Sequence, residues 1–255
     1  MKFRLDRMKD IKQGEIPEMK SIINIIKNRD RPHYSIKDKL TDDINIISEL
    51  KHSSPSAGNL SGNLDDDKIV QGYINGGASA ISVLAEKNFF NGSYGQLQTV
   101  GSYCSRPLLC KDFVFNDEQI EAAYLCGADA VLLISKILEK ELLKKLYDKI
   151  KSFNMTPLVE IHSHEEIENI MFLNPELVLV NMRNLSTLEI DLGTGIETLS
   201  RLPSSVTRIS ASGISSKDDI RFIMDETGTN NFLIGSSLMK SGDPEGMLRE
   251  LKNVY

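Results

Sequence analysis

"GADAVLLI", residues 127–134, is a glycine, an Ala-x-Ala step and a short apolar run. Nearly the same phrase, "GASAISVL", occupies residues 77–84, two units earlier in the chain. In both, the glycine can end a helix, and the run behind it is apolar without alternation, as in a strand buried on both faces. Such strands belong to parallel sheets covered by helices, so the phrase predicts a repeating strand–helix unit. The other units lack the echo, which argues against a solenoid.

Outward from these two phrases, strand-like runs are predicted at 45–51, 80–85, 107–113, 130–135, 156–161, 177–181, 207–211 and 231–235. Amphipathic stretches at 65–75, 117–126, 139–152, 164–173 and 217–226 lie between them. Strands alternating with helices and no long linker predict an α/β fold, a single (β/α)₈ TIM barrel over 45–255 with an extra N-terminal helix in 1–44. The competing doubly wound sheet would carry a Gly-x-Gly-x-x-Gly turn if it bound a dinucleotide, and the chain has none. Met19, Ile22, Ile23 and Ile26 are spaced as one helix face, with Pro17 near the start. This helix is expected to cover part of one barrel end; the alternative is a plug at the barrel bottom.

The bulk numbers fit that architecture. At 255 residues the chain matches the usual barrel length of about 250. A net charge of −6 with interspersed signs is not a nucleic-acid footprint. Lys2, Arg4, Arg7, Lys9 and Lys12 crowd the N-terminus but are interrupted by acids, which reads as a solvated surface. No apolar run is long enough for a bilayer and no signal-peptide pattern opens the chain, so no membrane partner and a cytoplasmic location are expected. Cys104, Cys110 and Cys126 show no metal or disulfide spacing, and Cys110 is expected to be a buried thiol facing the helices. His33, His52, His162 and His164 have no metal-ligand spacing and are read as surface or loop residues.

In a barrel of this kind the side chains at the C-terminal ends of the strands build the active site. Alternation places Glu49 with Lys51, Lys111 with Leu109 and Phe113, Glu160 with Leu158 and His162, and Asn181 with Arg183 and Leu179 on inward faces. Two lysines, two glutamates, an asparagine and an arginine thus converge on one ring, although the Glu49–Lys51 pair alone reads equally well as an ion pair closing the mouth. A lysine near a carboxylate can act as an acid, and an environment-tuned glutamate as a base. The seventh and eighth strands end in small residues, Ser212 with Gly213 and Gly235 with Ser236, where such barrels commonly hold a phosphate. "FFNGSYG", residues 89–95, is either a substrate-facing loop or a turn with its aromatics on the rim.

In chain order, "SELKHSSPSAG", "ISVLAEKNFFNGSYGQL", "LLCKDFVFNDEQI", "GADAVLLISKIL", "PLVEIHS", "VNMRNLSTLEID", "SASGIS" and "FLIGSSLM" resemble indole-3-glycerol phosphate synthases from about residue 45 to about residue 240. The resemblance implies a ring closure of 1-(2-carboxyphenylamino)-1-deoxyribulose 5-phosphate, with loss of carbon dioxide and water, in tryptophan biosynthesis. No cofactor or metal is implied. Partners would be this phosphorylated small molecule and other tryptophan-pathway enzymes. By resemblance Lys111 is the general acid, Glu160 the base for dehydration, Glu49 the orienting glutamate, and Lys51 an anion-binding lysine that can also donate a proton. Asn181 and Arg183 would hold the substrate near its carboxylate. Ser54, Ser212, Gly213, Gly235 and Ser236 match substrate- or phosphate-binding positions, and Phe90, Phe113, Leu132 and Leu185 match the apolar slot.

One position departs from the family pattern. Where its members usually carry glutamate in an "ESG" triplet, this chain reads Ala211-Ser212-Gly213. The alternatives to an active synthase are a catalytically impaired, ligand-holding barrel of the same family and a phosphoribosylanthranilate isomerase-like barrel, which would not need the ring of Glu49, Lys51, Lys111 and Glu160.

Overall fold

The protein is described by a computed structural model covering residues 5–54, 58–59 and 65–254. Eight parallel strands close a barrel: β1 Asn45–Leu50, β2 Ala80–Leu84, β3 Leu108–Lys111, β4 Ala130–Ile134, β5 Thr156–Ile161, β6 Leu177–Asn181, β7 Thr207–Ala211 and β8 Asn231–Ile234. Each pairs with its neighbour in sequence, and β8 pairs with β1 through Asn45↔Asn231 to Ser48↔Ile234. Most strand residues are buried, because one face fills the barrel and the other lies under helices.

The helices around the barrel are α3 Asp66–Asn75, α4 Lys87–Phe90, α5 Tyr94–Tyr103, α6 Asp117–Leu125, α7 Lys140–Ser152, α8 Ile167–Met171, α9 Leu192–Arg201, α10 Lys217–Thr227, α11 Ser236–Lys240 and α12 Pro244–Lys252. α7 shows why they form: Leu143, Leu146, Tyr147 and Ile150 recur at helical spacing and are all buried. Ser216 and Asp219 make a reciprocal capping box that starts α10, and Gly228 in the left-handed region ends it. Two predicted elements are shorter. The stretch read as strand over 107–113 stops at Lys111, because the Asp112 carboxylate accepts the Phe113 N–H and turns the chain. The helix read over 164–173 is a 3₁₀ turn, His164–Glu166, followed by α8.

The N-terminal residues form two helices, α1 Met8–Gly14 and α2 Ile16–Ile25, where one was expected. At the C-terminal rim Lys12 reaches Asp112 (2.6 Å), Glu15 (3.0 Å) and Glu86 (3.7 Å). α2 then packs along α6. At the opposite rim Arg29 and Arg31 pair with Asp129 at 2.5 and 3.2 Å, just before β4. The segment is a strap running from one rim to the other. Lys12 was expected on a solvated surface but has no exposure; its ammonium is buried among three carboxylates that repay the desolvation. Cys104, Cys110 and Cys126 are free and buried.

Candidate active site

The C-terminal ends of the strands surround a cavity of about 410 Å³, a size suited to a small organic substrate. Glu49, Lys51, Lys111, Glu160, Asn181, Arg183, Ser212, Gly213, Gly235 and Ser236 line it, with Phe90, Phe113, Leu132 and Leu185. The structure thus brings together every residue singled out from the sequence except Ser54, which pairs with Gly58 in a small ribbon and whose side chain lies outside the described residues. Ala211 also lines the cavity, beside Asn181 in register.

The charges are interlocked. Glu49 Oε1 accepts from Lys51 Nζ at 2.7 Å, and Glu49 Oε2 lies 3.5 Å from Lys111 Nζ. Burial alone would push the Glu49 carboxyl up, but Lys51 and then Lys111 outweigh it and hold its pKa at about 2. Burial works against the Lys111 ammonium, yet Glu49 and Glu160 raise its pKa above the ordinary lysine value, so it enters neutral solution carrying its proton. Glu160 is almost wholly buried. Burial opposes its charge, but the hydrogen-bonding groups of His162, the charge of Lys111 and the Asn181 amide lower its pKa, so it stays ionised and able to accept a proton. Asn181 Nδ2 donates to Glu160 Oε1 at 3.1 Å, while Asn181 Oδ1 accepts from Ser212 Oγ at 2.9 Å and the Arg183 N–H at 3.1 Å.

The walls are apolar where the charges are not. Phe90 and Phe113 stand with ring centroids 6.5 Å apart. In the "FFNGSYG" loop Phe90 lines the cavity, and both Phe89 and Phe90 pack against the core. Its geometry is specified: Glu86 accepts the Asn88, Phe89 and Phe90 N–H groups to cap α4, Asn91 is left-handed, and a Cβ at Gly92 would stand 2.1 Å from the Leu84 carbonyl oxygen. Opposite, the loop after β6 folds back as an antiparallel bridge, Arg183↔Ile190, with Arg183 Nη1 donating to the Leu188 carbonyl at 2.6 Å.

Sequence reasoning missed several lining residues, among them Glu86, Asp112, Leu188, Ile190, Ser215 and Lys240. Leu188 and Ile190 belong to "VNMRNLSTLEID", but a loop has no periodicity to say which side chains turn inward. His162 is a correction. It is no surface residue: its side chain is 7% exposed and Nε2 lies 3.2 Å from Glu160 Oε1. The alternation that put it on the inward face with Glu160 was the usable signal.

Comparison with known proteins follows the same line. The family model described as "Indole-3-glycerol phosphate synthase" matches residues 4–251. Relatives bearing that name include one from Bacillus cereus, 37% identical over 97% of both chains, and one from Bacillus mycoides, 35% identical over the same shares. Among solved structures, a thiamine phosphate pyrophosphorylase from Pyrococcus furiosus superposes with a TM-score of 0.61 at 15% identity, covering 84% of this chain and 96% of that one. A 3-hexulose-6-phosphate synthase gives 0.65 at 11% identity, covering 83% and 99%. At such identities these structures speak for the barrel alone.

Proposed function

The chain belongs to the indole-3-glycerol phosphate synthase family, and from that premise we propose how its cavity closes the indole ring of 1-(2-carboxyphenylamino)-1-deoxyribulose 5-phosphate. The enzyme is a carbon–carbon lyase of tryptophan biosynthesis acting on a phosphorylated small molecule. The aromatic ring lies in the slot of Phe90, Phe113, Leu132 and Leu185, and the phosphate meets Lys51 and the backbone around Gly213, Gly235 and Ser236. Clamping both ends brings the aromatic carbon against the sugar carbonyl, which is where orientation lowers the barrier. Arg183 and Asn181 face the substrate carboxylate that leaves as carbon dioxide.

Lys111, held protonated by two carboxylates, gives its proton to the carbonyl oxygen as the new carbon–carbon bond forms. Glu160, held ionised, takes the proton that must leave carbon during dehydration. Glu49 keeps both lysines aimed inward. The Ser212 side chain acts through Asn181. The observation that carries this reading is the single cavity in which a protonated Lys111 and an ionised Glu160 are set apart by their surroundings, as paired acid and base work requires.

The test is direct. Incubating the protein with the carboxyphenylamino-deoxyribulose phosphate is expected to produce indole fluorescence. Lys111→Met and Glu160→Gln should each lower turnover by about 10²-fold or more. Wild-type-like turnover in either variant would remove that residue from its role; absence of any indole product from the wild type would support a ligand-holding barrel instead.

A further inference from the structure

Glu160 is only 1% exposed, yet as a base it must discharge a proton after every turnover. Its neighbour away from the cavity lining is His162. Nε2 of that ring stands 3.2 Å from Glu160 Oε1, and Nδ1 stands 3.9 Å from Glu166 Oε1. The same Glu166 oxygen accepts the His162 backbone N–H at 3.0 Å. Glu166, on the 3₁₀ turn His164–Glu166, has a partly exposed side chain. Carboxylate, imidazole and carboxylate therefore form a line from the cavity toward solvent.

We propose that His162 is a proton relay that empties Glu160 outward through Glu166. The inference rests on the reading of Glu160 as base. The O–H of protonated Glu160 gives its proton to Nε2 of the neutral ring, forming an imidazolium. The imidazolium passes its Nδ1 proton to the Glu166 carboxylate across the 3.9 Å gap, a distance one bridging water spans. Glu166 releases the proton to solvent, and exchange with water, which gives a proton to Nδ1 and takes one from Nε2, restores the starting tautomer. Nothing is oxidised or reduced.

Three further observations fit. Both ring nitrogens of His162 are buried and make no well-directed hydrogen bond besides the close approach to Glu160, so neither is committed elsewhere. Glu166 Oε2 is buried without a partner, and burial raises the Glu166 pKa, which suits a group that holds a proton briefly. Orientation of Glu160 is already supplied by Asn181. The charged groups facing this line are Lys111 on the Glu160 side and Lys136 on the Glu166 side; neither interrupts it.

The discriminating variant is His162→Gln, whose amide can still donate to Glu160 but cannot carry a proton. Turnover should fall about tenfold in dilute, non-nitrogenous buffer with KM within about twofold, and added imidazole should restore it, while wild-type turnover ignores imidazole. Glu166→Gln should show the same imidazole dependence and serves if His162→Gln does not fold. A merely structural histidine predicts a loss that imidazole leaves untouched. Undiminished turnover in both variants, or a loss without imidazole response, overturns the relay. Glu160→Gln separates the two claims: if it is inactive while His162→Gln is wild-type-like, only the relay fails; if it retains turnover, the base assignment fails first.

Discussion

Gly235→Ala is the substitution whose effect can be worked from distances. A Cβ there would lie 2.5 Å from Glu49 Oε1, 3.0 Å from Glu49 Cβ and 3.1 Å from Glu49 Cδ. The backbone at Gly235 has a φ of −129° and a ψ of −65°, outside the left-handed region, and the shortest contact of the new methyl is with Glu49. The Glu49 backbone cannot retreat: its neighbour Ser48 is fixed opposite Ile234 in the β1–β8 ladder. The carboxylate must move by roughly an ångström, out of its 2.7 Å contact with Lys51 and away from Lys111. A misplacement of that size typically costs on the order of 10²-fold in rate. Steady-state kinetics should therefore show a fall in kcat. If Gly235 mattered only because its backbone meets phosphate, the damage would appear in KM. A second experiment isolates the carboxylate: in a Glu49→Ala background only the 3.0 Å contact with the residue 49 Cβ remains, so the added methyl should have a much smaller further effect, a departure from additivity. A folded Gly235→Ala enzyme with kcat within about threefold of wild type would refute the reasoning.

Lys12→Met leaves Asp112, Glu15 and Glu86 buried without their cation and should cost about 3–5 kcal/mol in urea denaturation, with Asp112→Asn in the same chain recovering part; a loss below about 1 kcal/mol would show that the cluster is not coupled. The Glu49 carboxyl is displaced from 4.5 to about 2, so its stabilisation is complete above the unfolded value and is lost as pH falls through 4.5 toward 2. Between about pH 6 and about pH 3 the wild type should thus lose about 2 kcal/mol more than Glu49→Gln does, and parallel pH profiles would contradict this. Ala211→Glu restores the carboxylate usual in the family at a cavity-lining position, and higher turnover or a shifted pH–rate profile is expected; unchanged kinetics would mean that its absence is immaterial here.

The barrel was legible because parallel strands buried on both faces leave continuous apolar runs. β5, β6 and β7 begin and end at the predicted residues. The ring of charges was legible too, because a two-residue alternation at a strand end fixes which side chains point inward. What escaped has physical causes. α9 and α12, starting at Leu192 and Pro244, were passed over because their glycines are poor helix formers, although their apolar residues do recur at helical spacing. Lys12 was read as solvated because charge density near it says nothing of the acids that meet it from residues 86 and 112. His162 was read by type, whereas its meaning lies in what stands on either side of its ring.

The strap has a consequence for how the chain is born. Arg29 precedes its partner Asp129 by 100 residues, and β1 waits until β8 for its second neighbour. At about 5–20 residues per second, the first 44 residues emerge several seconds before the half-barrel they grip exists. Until residue 129 emerges, Arg29 and Arg31 lack the barrel acid they pair with. Docking of the strap on Asp129 therefore needs the chain through that residue, and barrel closure needs it through β8, however fast any local helix forms.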